Sequence, residues 1–135
     1  MRIKYIIVLL LLSNFVFAQS AKKYFDNGLA KYNRFDYPES IRLLDSAIIL
    51  NPKYSEAYNT RGLAKGYITD YKGAIADFDK AIIYNPEFGM AYHNRGIAKR
   101  NNGEFQSACD DWNKALSIGV DEVKVLLNLF CKDMK

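Results

Sequence analysis

The residues that could carry catalysis in this sequence are few and poorly placed for it. The chain has one histidine, His93, with no cysteine or carboxylate at metal-ligand spacing beside it. Asp110 and Asp111 are neighbours, and neighbours on a helix point about 100° apart, so they cannot share a proton. The glycines are isolated and form no phosphate-binding loop. We therefore expect a lone surface histidine, no metal, no cofactor and no enzymatic activity.

The charge balance of the chain argues against a nucleic-acid partner. Half of the 135 residues are hydrophobic and a quarter are charged, which is typical of one compact domain. Residues 1–18 hold Arg2 and Lys4, two of the 19 basic residues, and no acid, which leaves 17 basic against 15 acidic residues. Bases and acids alternate along the remaining chain, so no basic stripe could follow a phosphate backbone.

Residues 1–18 have the composition of a signal peptide. A basic start precedes an apolar run over residues 5–12, and Ala18 closes a small-residue cleavage site. The apolar run is short for a membrane span. We expect cleavage after Ala18 and export to the periplasm or out of the cell, without stable membrane insertion of the mature chain. An uncleaved membrane anchor is the alternative.

A 34-residue period organises the remainder of the chain. YNTRGLAKG at 58–66 returns as YHNRGIAKR at 92–100, and blocks 21–54, 55–88 and 89–122 align without a gap. Each block has an aromatic residue at position 4, glycine at 8, a small residue at 20, a large apolar residue at 24 and alanine at 27. In block order these are Tyr24, Tyr58 and Tyr92; Gly28, Gly62 and Gly96; Ser40, Ala74 and Ala108; Leu44, Phe78 and Trp112; Ala47, Ala81 and Ala115.

The spacing of these positions predicts two helices in each block. Positions 4 and 8 share one helix face, and positions 20, 24 and 27 share another. The glycine and the small residues would let the paired helices approach closely, with the large side chains filling the gaps. Turn residues lie within the blocks at 36–38, 69–70 and 102–103, and between them at 51–52 and 85–86.

This pattern resembles the tetratricopeptide repeat (TPR), whose 34-residue period and glycine, alanine, aromatic and proline positions are those given above. The resemblance extends over residues 19–122 as three repeats. It implies an all-α fold, a right-handed α-solenoid of three helix pairs. Helix pairs of this kind cannot bury their apolar faces alone, so a closing element is required.

Two positions depart from the family pattern. Position 7, usually leucine, holds Asn27, Arg61 and Arg95, and position 11, usually tyrosine, holds Lys31, Lys65 and Lys99. Antiparallel pairing of the helices would bring Arg61 level with Asp77. The same pairing would join Arg95 and Asp111 in the third block. We predict two arginine–aspartate pairs that fix helix alignment; unrelated solvated charges are the alternative.

Residues 123–135 are predicted to form the closing helix. Its apolar positions at helical spacing are Val123, Leu126, Leu127 and Phe130, and Val125 and Leu129 widen the apolar arc. A well-buried cap is one interpretation of this wide arc, and a small self-association surface is the other. Antiparallel packing of this cap on the third repeat would bring Cys131 level with Cys109, so we predict a disulfide that holds the cap in place. A redox or metal-binding thiol pair is the alternative.

In TPR proteins the first helix of each pair lines a concave groove that holds peptides or partner helices, and the resemblance implies the same here. The candidate groove residues are Lys22, Phe25, Leu29, Tyr32, Asn59, Leu63, Tyr67, His93, Asn94, Ile97, Arg100 and Asn101. We expect a continuous apolar strip of Phe25, Leu29, Leu63, Tyr67 and Ile97, with the polar residues at its border.

The kind of partner follows from a second comparison with the family. Some members clamp a terminal carboxylate with lysine, asparagine and arginine, and the matching positions here are Phe25, Leu29, Thr60, Met90 and Asn94. Only Asn94 suits that task, so we expect an adaptor or scaffold for an extended or helical protein segment. The alternative is a structural subunit that assembles through its solenoid ends and cap helix, with the groove empty.

Overall fold

The computed structural model describes residues 2–132, and this part of the chain is helical apart from its turns. Its helices are α1 (Arg2–Asn33), α2 (Tyr37–Leu50), α3 (Ser55–Tyr67), α4 (Tyr71–Tyr84), α5 (Gly89–Asn101), α6 (Phe105–Ile118) and α7 (Val123–Phe130). Helix α1 packs on α2, α3 on α4 and α5 on α6, and each pair packs on the next. The predicted all-α solenoid is confirmed, with every turn near the residues that predicted it.

The turns inside the helix pairs share one backbone conformation. Phe35, Thr69 and Gly103, each at position 15 of its block, have φ of 63°, 65° and 88°. Glycine alone adopts this left-handed conformation without steric cost, so the first two turns store strain that the third does not. After the second turn, Asp70 accepts a hydrogen bond of 3.0 Å from the Gly73 N–H and caps α4. The turns thereby fix where each second helix begins.

Within each pair, the helices touch where a glycine faces a large side chain. A Cβ atom added at Gly62 would lie 2.8 Å from the Phe78 ring, which is closer than real side chains approach. Gly28 and Gly96 face their partners in the same way. The partners Leu44, Phe78 and Trp112 are at most 2% exposed. Packing therefore requires glycine at position 8, as the period predicted.

The predicted arginine–aspartate pairs are part of a larger ionic network. Arg61 donates two hydrogen bonds to the carboxylate of Asp77, of 2.9 and 2.6 Å. It donates a third, of 2.6 Å, to Asp45 on α2, and Lys65 lies 2.9 Å from Asp77. Burial alone would lower the pKa of Arg61, but the hydrogen bonds and charges of the two aspartates raise it. Arg61 therefore joins the two helices of its own pair and also joins this pair to the preceding one.

The same network recurs one block later. Arg95 donates two hydrogen bonds to Asp111, of 2.8 and 2.6 Å, and one of 2.7 Å to Asp79 on α4. Lys99 lies 2.9 Å from Asp111, whose side chain is only 6% exposed. These contacts confirm the two predicted pairs and reject the alternative of unrelated solvated charges. The second aspartate of each network and the lysine at position 11 were not predicted from the sequence.

The amino-terminal helix is longer than the sequence predicted. Helix α1 runs without a break from Arg2 to Asn33, so the proposed signal segment and the first helix of the first block are continuous. The apolar side chains over residues 3–17 are more than half exposed. Contrary to the expectation of a run too short for a bilayer, α1 is long and apolar enough to cross a membrane, a test that signal sequences near an amino terminus also pass.

Helix α7 closes the solenoid against the third helix pair. Val123 is fully buried in a cluster with Trp112, and the carboxyl end of the helix is joined to α6 by a disulfide. The bonded cysteines, Cys109 and Cys131, have Cα atoms 5.8 Å apart, which confirms the predicted pairing. The helix ends at Phe130, and residues 133–135 of the predicted cap lie outside the described residues.

Candidate functional site

A pocket of the described chain lies between α3 and α5. Its volume is about 320 Å³, and its base is the buried ring of Phe78 from α4. The apolar side chains around it include Leu63, Tyr67, Tyr71 and Ile97, and the polar ones are Asn94 and Asn101. Concave, mainly apolar pockets with a few polar groups are the usual form of a binding site.

A hydrogen bond between two asparagines links α3 and α5 near this pocket. The Asn94 side-chain N–H donates to the Asn59 side-chain oxygen at 3.0 Å, and Asn94 is buried. This bond uses one N–H of Asn94 and one lone pair of the Asn59 oxygen, so the Asn94 oxygen remains an acceptor and the Asn59 amide nitrogen remains a donor. The backbone N–H and C=O groups of a partner are the complementary donor and acceptor.

A cluster of tyrosines lies where α1 and α3 meet, directly beside the pocket. The rings of Tyr37 and Tyr67 are stacked with their centres 4.9 Å apart, and Tyr32 meets Tyr67 edge-on at 5.9 Å. Burial raises the pKa of the Tyr32 hydroxyl, and the neighbouring Tyr67 raises it further. Tyr32 therefore stays neutral and fills the space between the two helices. Tyr67 belongs to both the cluster and the pocket.

The structure separates the predicted apolar strip into two parts. Leu63, Tyr67 and Ile97 line the pocket together, as expected of a groove. Phe25 instead packs against Tyr54, with ring centres 4.9 Å apart, in the apolar cluster between the first two helix pairs. Leu29 is half-buried on α1. The strip is not continuous, because position 5 of the first block turns toward the next pair.

The predicted groove residues His93 and Arg100 lie at the cap rather than at the pocket. The Arg100 guanidinium lies over the Phe130 ring of α7, 3.8 Å from its centre. The Nδ1 atom of His93 and the Nε atom of Arg100 are buried without a hydrogen-bond partner in the described chain. Burial lowers the pKa of His93, although Glu122 raises it in part. His93 is thus half-buried under the cap and not the simple surface histidine that the sequence predicted.

The positions that clamp a carboxylate in some family members carry no positive charge here. Thr60 is buried and donates its hydroxyl hydrogen bond to the Glu56 carbonyl at 2.9 Å, and Met90 is 43% exposed. Asn94 holds Asn59, as described above. Within residues 2–132, no group of histidine, cysteine and acidic residues is arranged to hold a metal ion.

Asn101 was a groove candidate, whereas the pocket residues that were not candidates are Gly62, Gly66, Tyr71, Phe78 and Ala98. Tyr71 begins α4, a second helix of its pair, which the repeat pattern does not assign to the groove. Gly66 occupies position 12, where the other blocks have Tyr32 and Arg100. That departure was the one signal in the sequence that pointed to an open space at this level of the solenoid.

Comparison with known proteins gives relatives by fold. No family model matches the chain, and no curated protein matches it in sequence. Among solved structures, the Arabidopsis OM64 TPR domain is 22% identical with a TM-score of 0.81, over 83% of this chain and 94% of that chain. The first TPR of Spaghetti (RPAP3), bound to the HSP90 peptide SRMEEVD, is 18% identical with a TM-score of 0.74, over 82% and 95%.

The protein MamA has higher identity to the chain but is the longer protein. It is 30% identical with a TM-score of 0.72, over 79% of this chain and 63% of MamA. Each of the three structures matches the helix pairs of this chain. The chain therefore has the tetratricopeptide-repeat fold.

Proposed function

We propose that the protein is an exported, non-catalytic adaptor or scaffold that holds a segment of a partner protein against α1, α3 and α5. The observation that carries this proposal is the pocket of about 320 Å³ between α3 and α5, because its size and apolar lining are those of a ligand site. The similar TPR of Spaghetti holds a peptide, which supports the same mode of binding.

Binding is tested by selecting peptides from a displayed library against the protein purified from the exported fraction of its host. We expect the selected peptides to bind the wild type and to lose at least tenfold in affinity to Ile97→Arg. Leu29→Arg, on α1, should also weaken them. The control is Ile49→Arg, a change at a 78% exposed residue of α2, which should leave affinity unaltered. Peptides that bind all four proteins equally would contradict an adaptor function for this face.

Export is supported by the basic residues Arg2 and Lys4 ahead of an exposed apolar helix, and by the cysteine pair at disulfide distance. Mass spectrometry of the protein from the exported fraction tests it. The expected mass is that of a chain beginning at Gln19, less two hydrogens for the disulfide. A chain that keeps residues 1–18 would indicate a membrane anchor instead.

The alternative function, a structural subunit that assembles through its ends, is favoured by one observation. Val125 and Leu129 on the cap are 62% and 68% exposed. A second observation argues against this function. Asp45 and Asp79, at position 25 of the first two blocks, each bind the arginine of the following block. The third block has the exposed Asn113 at this position, so it offers no carboxylate there to a further block. Sedimentation at increasing concentration separates the two functions, since an adaptor remains one size without a ligand.

A further inference from the structure

We infer that the pocket between α3 and α5 accepts an uncharged aromatic side chain from an internal, extended stretch of the partner, and that Gly66 keeps the pocket open for it. This inference rests on the proposed function and adds the chemistry of the partner segment.

Neither packing nor backbone conformation requires a glycine at position 66. A Cβ atom added at Gly66 would meet no atom within 4 Å, whereas one added at Gly62, a turn earlier, would collide with Phe78. The backbone of Gly66 is helical, in contrast to the positive φ of Gly103 and Gly119. Glycine weakens a helix, so a residue that neither packing nor backbone conformation requires points to another use. Gly66 lines the pocket.

The other two junctions show what a side chain at this position does. At the junction of α1 and α3, Tyr32 occupies position 12 and lies against Tyr67. At the junction of α5 and α7, Arg100 occupies it and lies over Phe130. Both junctions are filled from within the chain. The middle junction is open because its position 12 has no side chain, and the space remains for a side chain from a partner.

The charge and composition of the lining indicate which side chain fits. The lining residues in the described chain are uncharged, and four cations of α3 and α5 are held by aspartates: Arg61, Lys65, Arg95 and Lys99. A charged group would lose its hydration without gaining a partner, so the occupant must be uncharged. Tyr67, Tyr71 and the Phe78 ring at the base favour an aromatic occupant, because aromatic pairs add to the free energy of burial.

The asparagine pair indicates an internal stretch of chain. The Asn94 oxygen is left as an acceptor and the Asn59 nitrogen as a donor, which suit the N–H and C=O groups of a partner's backbone. A terminal carboxylate is bound most strongly by cations, and the pocket supplies no cation. The segment is therefore recognised through its backbone and one aromatic side chain, and not through its carboxyl end.

The test is an NMR titration of the exported protein with small probes. N-acetyl-tryptophanamide, which carries two peptide-like groups and an uncharged aromatic side chain, should shift the amide signals of Gly66 and Ile97 in a saturable way. N-acetyl-lysinamide should bind at least tenfold more weakly. The free acid N-acetyl-tryptophan should bind at least threefold more weakly. Equal affinity for the lysine probe, or saturable binding with shifts elsewhere only, would overturn the inference.

Variants of the glycine make the test independent of the probes. Gly66→Tyr should fill the pocket as Tyr32 fills its own junction, and should weaken the tryptophan probe at least tenfold; Ile49→Tyr is the control. If Gly66→Tyr does not fold, Ile97→Asp introduces a charge in the pocket and should have the same effect. Affinity within twofold of wild type in a folded variant overturns the inference. If selected peptides then still depend on Leu29, the adaptor function stands without the aromatic pocket.

Discussion

Two junctions of the solenoid, α1 with α3 and α3 with α5, pair helices in the same order. One junction is filled by side chains of the chain, and the other is an open pocket. The first is filled by Tyr32, which meets Tyr37 and Tyr67 at 5.7 and 5.9 Å between ring centres. The second is open as a pocket of about 320 Å³, with Gly66 at the matching position. A repeat fold thus leaves the choice between a closed and an open junction to a single side chain in each block.

The largest expected effect comes from opening the first junction. Tyr32→Gly removes the aromatic contacts and places a glycine in α1, so the free energy of unfolding should fall by about 3 kcal/mol. Urea denaturation measures it. Lys23→Gly, at an exposed site of the same helix, should cost only about 1 kcal/mol. Equal losses in the two variants would mean that Tyr32 does not hold the junction closed.

The next effect separates the two glycines of α3. Gly62→Ala places a methyl group 2.8 Å from Phe78, so the fold must adjust and the free energy of unfolding should fall by about 2 kcal/mol. A neutral result in urea denaturation would show that the helix pair is packed less tightly than the structure indicates.

A gain in the free energy of unfolding, rather than a loss, is expected for the glycine one helical turn later. Gly66→Ala meets nothing within 4 Å and replaces a poor helix former by a good one, so the free energy of unfolding should rise by about 0.5 kcal/mol near the helix end. The same urea titration, run beside Gly62→Ala, gives the comparison. A loss of stability would mean that Gly66 has a structural role, and the account of an open junction would be wrong.

The features that the sequence predicted depend on spacing within a block or between adjacent elements. The contact of Gly62 with Phe78, the pairing of Arg61 with Asp77 and the disulfide all join two consecutive helices. Each can be predicted by counting residues on both sides of the loop that connects the two helices. The open pocket cannot be predicted in this way, because it depends on how the side chain at position 12 of one block packs against the next block. Phe25 was placed on a groove strip for the same reason. Its ring could face the groove or the next pair, and the presence of Tyr54 there decided it.

The smallest effect concerns the third junction, where the cap covers His93. Burial lowers the pKa of His93 in the fold below its ordinary value of 6.5, and the charge of Glu122 opposes this shift in part. The unfolded chain then binds more protons below pH 6.5, so the contribution of His93 to stability is present above that pH and lost as the pH falls. His93→Gln should lose less stability than wild type between pH 7 and pH 5 in thermal unfolding. Parallel losses would show that His93 is not desolvated.

The most direct measurement of the central claim is a crystal structure of the exported protein with a peptide selected against it. An open middle junction predicts that an aromatic side chain of the peptide lies between Leu63 and Ile97, with backbone groups of the peptide bonded to Asn59 and Asn94. A peptide bound elsewhere, with the space beside Gly66 empty, would contradict the claim.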